Sequence, residues 1–250
     1  MIGRRRWRAG VIAAGAGERL RSGEGTLKPL VMIGGEALVD RVLASIGELE
    51  PAEIVVIVNE QSTGVRDYVS RQPQPFPVRW IVETTASSMH SFLRIVERLA
   101  AERDEGPFLV STVDTVAAPG EYLRFARASA ALEADLTLAV TGGWDDEKPL
   151  LVEVDEEGRV VAIGEAIREQ AERPAPGRIF ATAGYYAVRS TVLQEADAAR
   201  ADRLGALRVF LTRLVERGYA VSAVPVAPAI DVDRPADVRA AEAFLKQVRA

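Results

Sequence analysis

The sequence predicts an α/β fold built on a doubly wound, mixed and mostly parallel sheet. Short apolar runs alternate with segments whose apolar residues recur at helical spacing, and 48% of the 250 residues are hydrophobic. The apolar runs are nearly continuous, as expected for parallel strands that are covered on both faces. In the second half, an acidic turn containing Gly158 joins two apolar runs and indicates an antiparallel hairpin.

The first half alternates strictly between the two kinds of segment. Apolar runs predict strands at 9–14, 53–58, 78–83 and 107–114, and helical spacing predicts helices at 36–50, 64–71, 89–104 and 119–133. Strand followed by helix, repeated in this way, is the order of a doubly wound parallel sheet.

The rhythm changes after a further strand at 135–140. The hairpin spans 149–164, another strand covers 178–188, and helices are expected at 191–199 and 204–217. Strand-like segments at 219–226 and 229–233 precede a closing helix at 234–250, with Pro235 near its first turn. Because no internal repeat or linker interrupts this pattern, the sequence predicts a single domain.

Composition excludes several classes of function. A formal net charge of -5 argues against a nucleic-acid partner, since such proteins usually present a basic surface. The chain has no cysteine, which rules out disulfides and thiolate metal sites and is consistent with the cytoplasm. The single histidine, His90, argues against a histidine-based zinc site. The apolar run 11–14 is too short to span a membrane, so no membrane partner is expected. Nothing in the composition predicts the oligomeric state.

A glycine-containing loop follows the first predicted strand. Loops at this position of an α/β sheet bind phosphates, and Gly15 and Gly17 let a ligand approach the backbone closely. A dinucleotide fingerprint requires a small residue where Leu20 stands, and a P-loop requires Gly-Lys-Ser/Thr. The loop, together with Arg19 and Lys28, therefore matches neither motif.

Candidate metal-binding carboxylates occur in two segments that are far apart in the sequence. Asp114 lies at the carboxyl end of a predicted parallel strand, which is the edge of the sheet where ligands bind. Asp231 and Asp233 alternate along a short strand just before the last helix, so they share one face. Carboxylate oxygens are ligands that Mg²⁺ prefers, which makes these residues candidates for a magnesium site. A helix cap is the alternative role for whichever late aspartate does not bind metal.

The stretch "IAAGAGERL…KPLVMIGGEALVDRVL", with Asp114 and a late acid, resembles the signature of the GT-A-like nucleotidyltransferases. These enzymes join a phosphomonoester to a nucleoside monophosphate taken from an NTP. The resemblance implies a Rossmann-like GT-A-type domain in which Arg19 and Lys28 contact phosphates and Asp114, with Asp233 or Asp231, holds the metal. It also implies nucleotide contacts from the loop residues, which are Ala13, Ala14, Gly15, Ala16 and Gly17.

Two further segments resemble parts of the same family. Residues 83–93 are similar to the base-reading loop of inositol-phosphate and phosphocholine cytidylyltransferases, which implies nucleotide contacts from Glu83, Thr84, Ser87 and Ser88; helix capping is the alternative for one or two of the hydroxyls. Residues 147–188 resemble the acceptor-binding region of inositol-phosphate and sugar-phosphate nucleotidyltransferases. This implies acceptor contacts from Lys148, Glu165, Gly184 and Tyr185, although Lys148 also suits a solvated position and Gly184 a tightly packed one.

By this resemblance, the expected function is transfer of a nucleoside monophosphate from an NTP, with CTP favoured, to a sugar or polyol phosphate. Mg²⁺ is the expected cofactor and pyrophosphate the second product. A basic tail (1–8) would precede a nucleotide-binding half (9–134) and an acceptor-binding half (135–250). Phosphocholine, a phosphonate and molybdopterin remain alternative acceptors. A nucleotide-sugar glycosyltransferase and a catalytically silent binding subunit are the alternatives from other classes.

Overall fold

A computed structural model describes residues 6–15, 27–101, 105–142, 149–164, 167 and 178–249. Its strands are β1 Arg8–Ile12, β2 Met32–Ile33, β3 Glu36–Ala37, β4 Glu53–Val58, β5 Val78–Val82, β6 Phe108–Thr112, β7 Thr115–Val116, β8 Leu136–Thr141, β9 Leu151–Val154, β10 Val160–Ile163, β11 Arg178–Val188, β12 Val221–Pro225 and β13 Ile230–Asp231. Its α-helices are α1 Leu38–Gly47, α2 Thr63–Ser70, α3 Ser88–Ala100, α4 Glu121–Ala130, α5 Ala196–Ala201, α6 Leu207–Glu216 and α7 Pro235–Arg249. Lys28–Leu30, Glu60–Ser62 and Ser190–Glu195 form short 3₁₀ helices.

The central sheet is mixed and mostly parallel, which confirms the predicted fold class. Strands β5, β4, β1 and β6 are neighbours and all run parallel. The long strand β11 pairs antiparallel with β6, with β9 and with β8, and β12 then runs parallel to β8. The predicted hairpin is present as the antiparallel pair β9–β10.

Helices cover both faces of this sheet. Helices α3, α5 and α6 pack on one face, and α1, α2 and α4 pack on the other, each with its own apolar cluster. Strand β4 supplies both clusters from alternate residues, because successive side chains of a strand point to opposite faces. Gly10 lets α3 approach β1 closely, since a Cβ at this position would lie 2.2 Å from the Cγ2 of Ile95.

Two of the predicted helices include residues that form other elements. The helix expected at 36–50 begins only at Leu38, because β2 and β3 form a small hairpin before it. Its turn consists of Gly34 and Gly35, both at positive φ, which is the chemistry that a two-residue hairpin turn requires. The helix expected at 191–199 is a 3₁₀ segment that continues into α5.

A second, two-stranded sheet joins distant parts of the chain. Strand β13 pairs antiparallel with β7, which places Asp231 opposite Thr115. A small apolar cluster supports this pairing; it is formed by Ile33, Leu38, Val116, Val232, Ala241 and Leu245. The pairing holds the side chains of Asp231 and Asp233 beside the end of β6. None of the helices in the described ranges has the length and apolar character needed to cross a membrane.

Candidate active site

The site lies at the edge of the sheet where the parallel strands β1, β4, β5 and β6 end. Backbone hydrogen bonds continue past the strands here: the N–H of Ala13 donates to the carbonyl of Ile57 (2.9 Å), and that of Val113 to the carbonyl of Ile12 (3.1 Å). The residues that follow each strand therefore lie side by side in one crevice, as expected for a doubly wound sheet.

Lys28 is the centre of this crevice. Its Nζ lies 2.5 Å from Oδ2 of Asp114 and 2.5 Å from Oδ1 of Asp233. The lysine side chain is 10% exposed, that of Asp114 19% and that of Asp233 44%, so the cluster opens toward solvent on the Asp233 side. The ammonium group of Lys28 thus contacts Asp114, which is 86 positions away in the sequence, and Asp233, which is 205 positions away.

The lysine is presented by a short turn of fixed geometry. Lys28–Leu30 forms a 3₁₀ turn with buried Pro29, whose ring restricts the backbone. The N–H of Val31 donates to the carbonyl of Lys28 (3.1 Å), and that of Leu38 donates to the carbonyl of Val31 (3.0 Å), which ties the turn to α1. The local sequence Lys-Pro-Leu therefore fixes the backbone and leaves the long lysine side chain to reach the acids.

The charge of Lys28 is stabilised in this position. Burial by itself lowers the pKa of the ammonium, but the charge of Asp114, hydrogen bonds to Asp114 and Asp233, and the charge of Asp231 outweigh it. The net result is a pKa raised above the ordinary value for lysine. Lys28 is therefore a permanent cation across the neutral pH range.

Three carboxylates form the acidic part of the site. Asp114, Asp231 and Asp233 each offer one oxygen, and these oxygens lie within 4.8 Å of one another. The prediction that Asp231 and Asp233 share a face is confirmed, since buried Val232 separates them. The N–H of Val232 donates to the carbonyl of Asp114 (3.0 Å), which fixes the two segments to each other.

Asp237, in the first turn of α7, holds Asp233 in place. The sequence prediction of the site did not include this residue. Oδ2 of Asp237 accepts the backbone N–H groups of Asp233 (3.0 Å) and Arg234 (2.7 Å). A carboxylate in the first turn that reaches back to the preceding N–H groups is the second half of a capping box. Asp237 therefore contributes to the capping of this helix.

The beginning of the glycine loop is tied to the neighbouring strand. Nδ2 of Asn59, directly after β4, donates to the carbonyl of Ala14 (3.1 Å). Ala13 is buried and Gly15 is exposed, with open space where a Cβ would stand. Of the predicted site residues, Ala16, Gly17, Arg19, Lys148 and Glu165 lie outside the described residues.

The predicted base-reading segment follows β5, and its polar groups have local partners. Glu83 pairs with Arg94 (2.9 Å), Oγ1 of Thr84 with Oε2 of Glu60 (3.0 Å), and Oγ of Ser87 with Nδ1 of His90 (2.9 Å). Ser87 occupies the N-cap of α3, yet its side chain makes no capping bond there. Oγ of Ser88 accepts the N–H of Leu207 (3.0 Å), so this hydroxyl caps α6 rather than its own helix.

A cavity of about 390 Å³ opens beside this segment. Residues 83–86 line it, together with His90, Arg94 and Glu97 of α3 and Arg200 of α5. None of the described residues that line it belongs to the acidic cluster. Glu83 and Thr84 thus line a cavity to which the acidic cluster does not contribute.

On the acceptor side, Gly184 is required by packing. It has φ +78°, and a Cβ at this position would lie 2.1 Å from Oγ1 of Thr115. Its carbonyl accepts a hydrogen bond from Oγ1 of Thr112 (3.3 Å), and the pairing of β11 with β8 is irregular around it. Gly184 therefore lies against Thr112 and Thr115, which flank Asp114 in the sequence, and it lets β11 pass close to Thr115.

Tyr185, by contrast, points into the core. Its side chain is fully buried under α4, stacked on Tyr122 with ring centroids 4.3 Å apart and edge-on to Phe125. Burial raises its pKa. The alternation of β11 turns Tyr186 to the other face, against Phe92. Because its ring does not reach the crevice, Tyr185 is left out of the acceptor site proposed below.

Residues 9–175, about two thirds of the chain, match the model of the MobA-like NTP transferase domain. The chain belongs to the MobA-like NTP transferase family. It is accordingly a nucleotidyltransferase, and the crevice at the ends of the parallel strands is its candidate active site. A search of curated protein sequences gives no match.

Several solved structures are similar in fold to this transferase over nearly the whole chain. The inositol-1-phosphate CTP transferase of T. maritima is 22% identical, with a TM-score of 0.72 over 97% of this chain and 96% of the other. A Bacillus anthracis protein described as a glucose-1-phosphate thymidylyltransferase is 14% identical, with a TM-score of 0.75 over 96% and 95%. HddC from Yersinia pseudotuberculosis is 20% identical, with a TM-score of 0.70 over 95% and 99%. At these identities the likeness shows the fold.

The residues of this transferase fit a divalent cation, as nucleotidyltransferases of the family generally require. Three carboxylate oxygens within 4.8 Å of one another form an all-oxygen donor set. Such a set suits a hard cation, which commonly takes one or two carboxylates together with phosphate oxygens. The partly exposed Asp233 side leaves room for those oxygens.

Proposed function

We propose that this chain transfers a nucleoside monophosphate from an NTP to a phosphorylated sugar or polyol, with Mg²⁺ and with release of pyrophosphate. The observation that carries the proposal is the meeting of Lys28 with Asp114 and Asp233 at the ligand-binding edge of the sheet. A cation and a set of carboxylates in one crevice suit a substrate that is polyanionic and metal-bound.

In the proposed reaction, an oxygen of the acceptor phosphate attacks the α-phosphorus of the NTP. A new P–O bond forms while the bond from the α-phosphorus to the bridging oxygen breaks, and pyrophosphate leaves with the electron pair. The acceptor phosphate is already anionic, so no side chain has to remove a proton. This agrees with a sequence that contains one histidine.

The proposed roles follow from the positions of the charges. Asp114 with Asp233 or Asp231 would hold Mg²⁺, which when bound supplies charge neutralisation for the phosphates. Lys28 would donate to a phosphate oxygen and stabilise the charge that builds up on the leaving pyrophosphate. The backbone of residues 13–15, and with it Ala16, Gly17 and Arg19, would bind the triphosphate.

CTP is the proposed donor and a sugar or polyol phosphate the proposed acceptor. The similarity in fold to an inositol-1-phosphate CTP transferase supports this choice of donor and acceptor. The base would lie against residues 83–88. The acceptor would lie in the 135–250 half, near Gly184, with Lys148 and Glu165 as further proposed contacts. A cytoplasmic location would supply both substrates.

Pyrophosphate release tests the proposal. The four NTPs are each combined with inositol 1-phosphate, glucose 1-phosphate, phosphocholine and buffer alone, in the presence of Mg²⁺. We expect pyrophosphate only when both substrates are present, and most rapidly with CTP. A matched Asp114→Asn variant should fold normally and lose about 100-fold or more of the turnover, since a metal ligand becomes neutral.

Two results would contradict the proposal. Pyrophosphate release without an acceptor would indicate an NTP hydrolase. Nucleotide binding without turnover in every combination would indicate a silent binding subunit.

A further inference from the structure

Lys28 binds two of the three carboxylates that form the candidate metal site. Nζ of Lys28 lies 2.5 Å from Oδ2 of Asp114 and 2.5 Å from Oδ1 of Asp233. Those two residues, with Asp231, are also the three whose oxygens lie within 4.8 Å of one another. The ammonium group thus contacts two of the three candidate metal ligands.

An ammonium and a divalent ion that use the same carboxylate oxygens lie next to each other. Mg²⁺ binds oxygen at about 2.0–2.1 Å, so an ion held by the same two oxygens would lie within roughly 3.5 Å of Nζ. Two cations at that distance repel each other, and the repulsion is weakened only in part by solvent on the Asp233 side. Coordination through these oxygens therefore requires the ammonium to move away.

We infer that Lys28 is the counter-ion of the three carboxylates until a divalent cation binds, and that the cation then displaces it. The inference rests on the proposed function and adds an order of events to it. Before the substrates arrive, the ammonium holds three mutually repelling carboxylates together. Once the cation replaces it, the ammonium is released into the crevice, where the proposed function requires it to contact the triphosphate.

The chain is built for such a movement. The backbone of Lys28 is fixed by the 3₁₀ turn with Pro29 and by the hydrogen bond from the N–H of Val31 to the carbonyl of Lys28 (3.1 Å). The side chain beyond it is a flexible four-carbon stem with a single charged end. The partly exposed side of Asp233 gives the ammonium a way out toward solvent.

Metal binding by the protein alone tests the inference without any turnover. Free Mn²⁺ is measured by electron paramagnetic resonance in titrations of the wild type, Lys28→Met and Lys246→Met. Lys246 is exposed on α7, so its replacement removes the same charge far from the site. We expect Lys28→Met to bind Mn²⁺ at least fivefold more tightly than the wild type, and Lys246→Met to match the wild type.

Each other outcome overturns the inference. Equal or weaker Mn²⁺ binding by Lys28→Met would show that the lysine does not compete with the metal. Such a result would leave the proposed function standing, because pyrophosphate release tests that function separately. Absence of Mn²⁺ binding in all three proteins would also overturn the inference, whereas the proposed function would still be tested by pyrophosphate release, since the phosphates of the NTP supply further metal ligands.

A measurement on the wild type avoids dependence on the folding of the variant. Acetic anhydride labels accessible lysines, and mass spectrometry reports the labelling at each one. We expect Mg²⁺ to increase labelling of Lys28 severalfold and to leave Lys246 unchanged. Unchanged or reduced labelling of Lys28, under conditions in which Mn²⁺ binds, would overturn the displacement.

Discussion

Asn59 is the residue that connects the glycine loop to the rest of the sheet. Its Nδ2 donates to the carbonyl of Ala14, while its Oδ1 is buried and has no partner among the described residues. A buried acceptor without a hydrogen bond costs stability, so the conformation of Asn59 is maintained by its surroundings. The tie to Ala14 holds the first residues of the loop at the end of β1.

We predict that Asn59→Ala weakens NTP binding more than it weakens the fold. Loss of the hydrogen bond releases the loop, whereas loss of the unpaired oxygen offsets part of the cost in stability. The KM for the NTP should rise several-fold, and the free energy of unfolding should change by about 1 kcal/mol or less. Steady-state kinetics and urea unfolding measure the two effects. An unchanged KM would show that the tie does not position the loop.

At single positions, the sequence predicts charge more securely than orientation. Asp114 and Asp233 can be found because each stands next to a strand end or a helix start, and Lys28 because it belongs to the Lys-Pro-Leu part of the family signature. Tyr185 and Tyr186 cannot be told apart, because Gly184 makes the pairing of β11 irregular and so hides which face each tyrosine takes. Asn59 carries no motif, and only the contact with Ala14 reveals its role.

Among the elements, the start of α7 matters most to the site. Asp237 accepts two backbone N–H groups, one from Asp233 and one from Arg234, and so fixes the turn that carries the Asp233 carboxylate. The interaction also caps the helix, where a negative charge near the N-terminus is favourable.

We predict that Asp237→Ala lowers metal affinity although Asp237 is not a metal ligand. Groups that orient a ligand typically contribute about 10-fold or more to metal binding. Loss of the cap should also cost about 1 kcal/mol of stability. Asp237→Asn keeps an acceptor oxygen and serves as the matched control, with a smaller loss. Mn²⁺ titration measures the affinity, and equal affinity in the wild type and Asp237→Ala would contradict this role.

The long elements could be predicted from the sequence, whereas the shortest ones could not. Strand β4 is a continuous apolar run, and helix α3 carries enough apolar residues to show its helical period. Strands β7 and β13 contain two residues each, which is too few for any period to be seen. Their pairing is nevertheless what places Asp231 and Asp233 beside Asp114, so the convergence of the acids had to be inferred from the family resemblance.

In the whole molecule, the site depends on contacts between segments that are far apart in the sequence. Lys28 and Asp233 are separated by 205 positions, and Asp114 by 86 from Lys28. The small cluster around Val116 and Val232 packs α7 against the β2–β3 hairpin and so holds these two distant parts of the chain at the strand edge. The site is therefore complete only when the central sheet and α7 are both folded.

We expect Lys28 and the three aspartates to surround one metal-bound triphosphate. A crystal structure with Mg²⁺ and a CTP analogue that cannot be cleaved between the α- and β-phosphates tests this most directly. We predict a metal ion bound to Asp114 and to Asp233 or Asp231, with Lys28 turned to a phosphate oxygen. A triphosphate bound away from this crevice, or Lys28 still placed between Asp114 and Asp233 with the metal elsewhere, would contradict the account.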